Sequence, residues 1–473
     1  MQTLHASPYA GEWYPADRAE LRDLVTELLA NSSVRTGSFI RPGGLAFLVP
    51  HAAPVYSGTV AAASYRHIAA YRPRRIVVLG FSHRRGVEGI GIPQIETIST
   101  PLGVTEIDSV GGRELTSAAP FHISPESQLC DHSVEIQLPF LQAAAPEATV
   151  LPLYVGRLSP AQRAAAAARL RWLLDGETVF VASSDLTHFG RGFGYVPFPV
   201  NDETGLRLKE LDGGVIGAAA SIDPDLFLAE IQKTRATVCG FDPIALLLAT
   251  LQAAQREEIY QETLDYQTSA DMTSDYSHSV SYGAAGYFPS SSFELSPDAC
   301  LALANSAAAT LADTRAAGRR SIVEPTHPTP ELKQKLGAFV TVYQDGQLHG
   351  CIGRIHDPEP LYKTIPRLAL SAATEDARFA PLSPIGKLTV EVSILTPMKR
   401  IASRRRLIAG EHGGLLESGP RSGLLLPKVA TEHGWNSAQF LDALARKAGL
   451  SPAAYESRDA RLSVFRAQVF QGE

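Results

Sequence analysis

The sequence predicts an α/β layered domain followed by a smaller α+β domain. Three observations lead there. At 473 residues the chain is longer than one hydrophobic core ordinarily serves. Its first three-fifths alternate short apolar runs with helical patterns, the signature of strands layered with helices. A Ser/Pro-rich seam, "YFPSSSFELSP" (Tyr287 to Pro297), then interrupts the pattern. The expected domains are therefore residues 1–288 and 296–473, joined by a linker at 289–295.

In the first domain the apolar runs are "GLAFLVP" (44–50), "RRIVVLGF" (74–81), "ATVLPLYVG" (148–156) and "ETVFVASSD" (177–185). They are short, continuous and rich in β-branched residues, as buried parallel strands are. Between them fall helical segments at 18–31, 159–176 and 242–255, the last with Asp242 as expected N-cap and Pro243 as first residue. In the second domain Ser296 and Pro297 open an alanine-rich helix that closes at Gly318. Strands follow at 337–353 and 387–397, the first folded back at Gln344-Asp345-Gly346, with a further helix at 436–450.

Composition narrows the function. Charged residues make up 19% of the chain, apolar residues 45%, and the net charge is -6, a balance that disfavours a nucleic-acid binder. The basic stretch "KRIASRRR" (Lys399 to Arg406) reads as a solvated loop or strand end. The cysteines Cys130, Cys239, Cys300 and Cys351 form no CxxC pair, which fits reduced thiols in a cytoplasm. No signal-peptide pattern or membrane-length apolar run occurs, so a soluble cytoplasmic protein is expected. Neither GxGxxG nor GxxxxGK[ST] is present to cradle a nucleotide.

Three polar residues share one placement. His51 follows "AFLVP", His83 follows "IVVLGFS" and Asp185 follows "VFVASS". One such histidine would be a turn residue; three at the carboxyl ends of parallel strands point to a crevice that binds ligand. His188 in "SSDLTHFG" could pair with Asp185 as a proton relay. In "CDHSVEIQLPFL", His132 and Glu135 lie three apart, on one face if the segment is helical, as a ligand pair, a relay or part of an inner-surface hydrogen-bond network. Cys239 in "ATVCGFDPIALLL" precedes a helix N-terminus, where thiolates are favoured, although taken alone it reads first as a small buried hydrophobe, the usual fate of a free cysteine. Two histidines with a carboxylate suit Fe(II), and two with a thiolate suit zinc or copper; spacing leaves Asp185 and Cys239 both open as third ligand.

The blocks "AGEWYPAD", "PHAAPVYSG", "LGFSHRRG", "DHSVEIQLPFL", "ASSDLTHFG", "TVCGFDPI" and "SVSYGAAGYF" resemble, in order, the signature blocks of the Memo family over residues 5–288. That resemblance implies a fold similar to LigB-type class III extradiol dioxygenases, with a mixed sheet flanked by helices. It also implies a metal site of His51, His83 and Cys239, holding Fe(II), or else copper or zinc. Asp185 and His188 are then the implied catalytic pair, and Tyr56, His132 and Glu135 implied substrate contacts. This chain departs from the family's PHAGYxYSG at Ala53 and Pro54, which changes the pocket wall. The second domain resembles the AMMECR family through "LHGCIG" (348–353), "ATEDARFAPLSP" (373–384) and "GLLLPKVATEHGW" (423–435), with His349 in place of the usual arginine. Gly350, Cys351, Gly353, Asp376 and Arg378 are its candidate site. Members of both families are encoded beside a radical SAM protein, so such a partner is implied. The expected function is a metal-dependent redox enzyme acting on a small molecule or peptide. The alternatives are a phosphopeptide-binding module and a zinc hydrolase.

Overall fold

Four apolar runs of the first half become parallel neighbours in one sheet. Ala46–Val49 pairs with Thr178–Ser183, which pairs with Arg75–Gly80, which in turn pairs with Thr149–Val155. These strands are buried almost throughout, as their unbroken apolar sequence requires of a sheet covered on both faces. In the computed structural model, residues 4–37, 39–254, 258–379, 385–457 and 459–472 are described. Two units form, Met1–Pro289 and Ser290–Glu473.

The sheet of the first unit is mixed. His278–Pro289 runs antiparallel to Ala46–Val49 and to Ile259–Thr268, and Ile90–Pro93 runs antiparallel to Thr149–Val155. Side chains alternate between faces. Val77, Leu79, Leu151, Leu153, Phe180 and Ala182 share one core with Leu246, Leu247 and Leu248 of the Phe241–Ala253 helix. On the other face lies Pro54–Tyr71, against the strands Ala46–Val49 and His278–Pro289. The departure at Ala53-Pro54 has a local reason: Pro54 is the first residue of that helix, where a missing N–H costs nothing.

The helix expected at 242–255 begins at Phe241 with Gly240 as its cap, so Asp242 is not the cap and sits in the first turn. Packing decides this. A Cβ on Gly240 would lie 2.6 Å from the Ser183 carbonyl oxygen and 2.6 Å from Ser184 Cβ, so the chain must enter the helix against the end of a strand. The helix expected at 159–176 ends at Leu170 and continues as one 3₁₀ turn, Arg171–Leu173. The helix from Arg18 runs past the expected residue 31 to Thr36, closed by Gly37 at φ 86°. Gln255 lies outside the described residues.

In the second unit, Ala338–Gln344 and Gln347–Arg354 form a hairpin through Asp345 and Gly346, at φ 50° and 78°, as the Asp-Gly turn predicts. Leu388–Leu395 and Ala467–Gly472 complete a four-stranded antiparallel sheet, packed by the helices Pro297–Ala317 and Leu361–Thr374. Ser296 caps the first of these helices and Gly318 ends it in the left-handed conformation, as expected. A second four-stranded sheet packs on the Ser437–Lys447 helix. The basic stretch forms a short strand, Lys399–Arg400, and a 3₁₀ turn in which Arg404 pairs with Glu456. Among the described residues no helix is long and apolar enough to cross a membrane.

Gly350 marks the tightest contact of the hairpin, because a Cβ there would fall against the Ala372 carbonyl of the Leu361–Thr374 helix. Gly350→Ala is expected to destabilise the second unit by about 1–3 kcal/mol. In a Trp13→Phe/Trp172→Phe background, Trp435 reports urea unfolding of this unit, and an unchanged midpoint would contradict the packing argument.

Candidate metal centre

Three strand ends meet at one edge of the parallel sheet, and each carries a polar residue just beyond it. His51 follows Ala46–Val49, His83 follows Arg75–Gly80 and Asp185 follows Thr178–Ser183. They line a cavity of about 600 Å³, together with Trp13, Tyr56, His132, His188 and Tyr282. Ala53 lies in the same wall.

Each imidazole is held by one nitrogen, which leaves the other for a ligand. His51 Nδ1 is 3.0 Å from Ser183 Oγ, and the amide of Gln137 donates to that same oxygen at 2.9 Å and to the Pro50 carbonyl at 3.0 Å. His51 Nε2 consequently faces Cys239 Sγ, 3.3 Å away. His83 Nδ1 donates to Asp131 Oδ1 at 2.8 Å, and the His83 amide donates to Asp131 Oδ2 at 3.0 Å. Asp131 also accepts from the Ser133 amide, so one carboxylate caps a helical turn and orients a histidine. That turn packs tightly on the strand end, since a Cβ on Gly80 would lie 2.5 Å from Val134 Cγ2.

Two groups of donors converge here, with ligand atoms within 4.8 Å of one another: His51 with His83 and His132, and His51 with Asp185 and Cys239. His51 belongs to both. The set His51, His83 and Cys239 is split between them, and His132 joins the two motif histidines, its ring stacked on His83 with centroids 3.9 Å apart. Asp185 and His188 both line the cavity but are held separately. Asp185 Oδ1 accepts from the His51 amide at 2.8 Å and the Ala52 amide at 3.3 Å. His188 Nδ1 donates to the carbonyls of Leu186 and Thr237, at 3.1 and 3.0 Å. Glu135 is turned away from His132 and the cavity; its Oε1 is 3.0 Å from His5 Nε2. The turn His132–Glu135 is only four residues long, too short to impose one face.

Burial sets the charge of the site. It pushes His51 down to about 3, with His83 adding to the effect, and pushes His132 down to about 3 as well. Both rings are therefore neutral donors. Asp131 goes the other way from what burial alone would do, because the His83 hydrogen bond and the neighbouring imidazoles bring it down to about 2. Burial raises the Cys239 thiol far above the ordinary thiol range, and the Asp185 carboxylate raises it further. Asp185 is raised by burial too. Neutral imidazoles beside a buried thiol and a buried carboxyl, both with raised proton affinity, form a site whose anionic ligands a bound cation would stabilise. The donor set of nitrogen, sulfur and carboxylate fits a transition metal.

In the second unit, Cys351, Asp376 and Arg378 come together. Asp376 Oδ2 accepts from the Cys351 amide at 2.9 Å, and Arg378 donates to Asp376 and, at 3.1 Å, to the Cys351 carbonyl. Arg378 holds Asp376 well below the usual carboxylate range. Gly350 and Gly353 are filled by their own surroundings, the Ala372 carbonyl and the Phe339 ring. No metal-donor group includes Cys351 among the described residues, and residues 380–384 of the "ATEDARFAPLSP" block lie outside them.

Sequence comparison bears directly on this site. The family model described as Memo-like protein matches residues 6–286, and the model for AMMECR1 matches residues 304–470. The protein memo-1 homolog of Caenorhabditis elegans is 28% identical over 296 residues, covering 60% of this chain and 82% of its own. Protein MEMO1 of Rattus norvegicus is 29% identical over 285 residues, covering 58% of this chain and 94% of its own. Protein MK0488 of Methanopyrus kandleri is 41% identical over 162 residues, covering 32% of this chain and 78% of its own.

The two depressed histidines make stability pH-dependent. Unfolded, each takes up its proton near 6.5; folded, only near 3. Their stabilisation is thus fully present above 6.5 and lost as pH falls toward 3. For metal-free protein, the drop between pH 7 and pH 5 is expected to be about 2 kcal/mol per histidine. Urea midpoints at the two pH values check this, and His51→Asn/His132→Asn should flatten the difference.

Proposed function

Because the chain belongs to the Memo-like family over residues 6–286 and to the AMMECR1 family over 304–470, we propose that its first unit is a metal-dependent redox enzyme. The observation that carries the reading is the convergence of His51, His83, His132, Asp185 and Cys239 at the carboxyl ends of parallel strands. His51 and His83 would hold the ion, with Cys239 as the anionic ligand and Fe(II) as the metal; copper is the next candidate. Such an ion would supply a redox centre at which O2 and an organic substrate can meet.

The remaining work falls to this chain's side chains. Ser183 and Asp131 hold the two imidazoles in register through their Nδ1 atoms. His188, with Nδ1 committed to two carbonyls, would hold or move a proton at Nε2. Asp185, whose proton affinity is raised by burial, would exchange a proton within the cavity. Trp13 and Tyr56 wall the site, and its size suits a small molecule or one side chain of a peptide. The union of both families in one chain supports action of the two domains in one pathway, for which the family resemblance implies a radical SAM partner.

The three-histidine group gives a second ligand set, His51, His83 and His132, with Cys239 left as a thiol. Metal analysis of anaerobically purified protein tests both. Wild type is expected to retain iron or copper, and His51→Ala/His83→Ala to lose at least about tenfold in affinity. Equal, negligible metal in both would end the redox reading. A thiolate-to-metal absorption band lost in Cys239→Ser selects the first ligand set; a band-free wild-type complex selects the second.

A further inference from the structure

A third donor group lies outside the cavity and is used by none of the chemistry above. His5, Cys130 and Glu135 place one ligand atom each within 4.8 Å of one another. They come from three elements: the strand Leu4–Ala6, the end of the helix Glu126–Leu129, and the turn His132–Glu135. None of the three is a donor in either group at the strand ends.

We propose that His5, Cys130 and Glu135 form a separate binding site for a borderline divalent cation of the Zn2+ class. The mixture of nitrogen, sulfur and oxygen favours such an ion over Ca2+ or Mg2+, which take oxygen ligands. The independent observation is Glu135 itself. Its side chain is fully buried, yet Oε2 has no hydrogen-bond partner among the described residues, a state that costs free energy unless something else satisfies the oxygen.

A simpler occupant, a proton on His5, satisfies the cluster incompletely. His5 is raised to about 10, first by Cys130 and then by Glu135, so the pocket does call for positive charge. One imidazolium proton serves Glu135 Oε1 at 3.0 Å and leaves Oε2 unserved. A dication between the thiol, the imidazole and one Glu135 oxygen would bring positive charge to both oxygens of that carboxylate. Binding releases the imidazole proton and the thiol proton, leaving neutral imidazole and thiolate as ligands. Glu126 lies beside the cluster: its Oε2 is 3.6 Å from His5 Nδ1, beyond hydrogen-bond range, and like Glu135 Oε2 it is buried with no hydrogen-bond partner among the described residues.

Cobalt(II) titration of the full-length Cys239→Ser protein tests the site with the other candidate thiolate removed. One equivalent is expected to produce a thiolate-to-cobalt absorption band that Zn2+ displaces. Cys130→Ser in that background should abolish the band, and His5→Asn should weaken Co2+ binding at least about tenfold with an unchanged circular dichroism spectrum. Absence of a saturable band, a band that survives Cys130→Ser, or unchanged affinity in His5→Asn would overturn the proposal. If Cys130→Ser fails to fold, the His5→Asn titration decides alone. The outcome is distinguishable from metal binding in the cavity, because with Cys239 replaced a cobalt ion held there by His51, His83 and His132 gives no thiolate band.

Discussion

The arrangement at the sheet edge depends on one carboxylate between two strands. Asp185 leaves the end of Thr178–Ser183 and accepts the backbone amides of His51 and Ala52, just beyond the end of the neighbouring strand. Those amides would otherwise be buried where the sheet ladder stops, and satisfying them from the side fixes His51 against its neighbours. Ser183 and Gln137 then set the ring. Cys239 is brought in by the Phe241–Ala253 helix, whose glycine cap permits close approach to the same strand. Remove the parallel register and nothing else brings these groups together.

The parallel strands were legible because they are buried on both faces, which forces an unbroken apolar code ending abruptly in polar residues. The placement of His51, His83 and Asp185 follows from that code alone. The mixed edges, including His278–Pro289, became expected only through the family resemblance. What spacing could not supply was orientation inside short turns. His132 and Glu135 looked like one face of a helix, but in a four-residue turn they diverge, one to His83 and one to His5. His5 itself carried no local signal, because a three-residue strand has no period to read. A cue for Asp131 was present: it directly precedes His132 and is an acidic residue at a helix start, the pattern of a cap.

In the second unit the turn chemistry was legible, and so was the need for small residues near Cys351, though not what would approach them. Asp345-Gly346 specifies its own hairpin through positive φ. Gly350 and Gly353 allow close approach, at Gly350 of the Ala372 backbone carbonyl and at Gly353 of the Phe339 ring. Cys351, Asp376 and Arg378 do assemble, with Arg378 fixed at both the carboxylate and the backbone. An arginine so committed is a strut for the loop more than a free anion receptor.

The stretch 126–135 carries adjacent obligations. Asp131 serves His83, His132 stacks beside it, Glu135 serves His5, and Ser133 closes against the end of the strand Arg75–Gly80. Neighbouring side chains thus answer to opposite sides of one turn. Sequence drift here is therefore epistatic: a one-residue insertion or deletion would rephase every partner at once, and a compensating change would have to arise in several distant segments together.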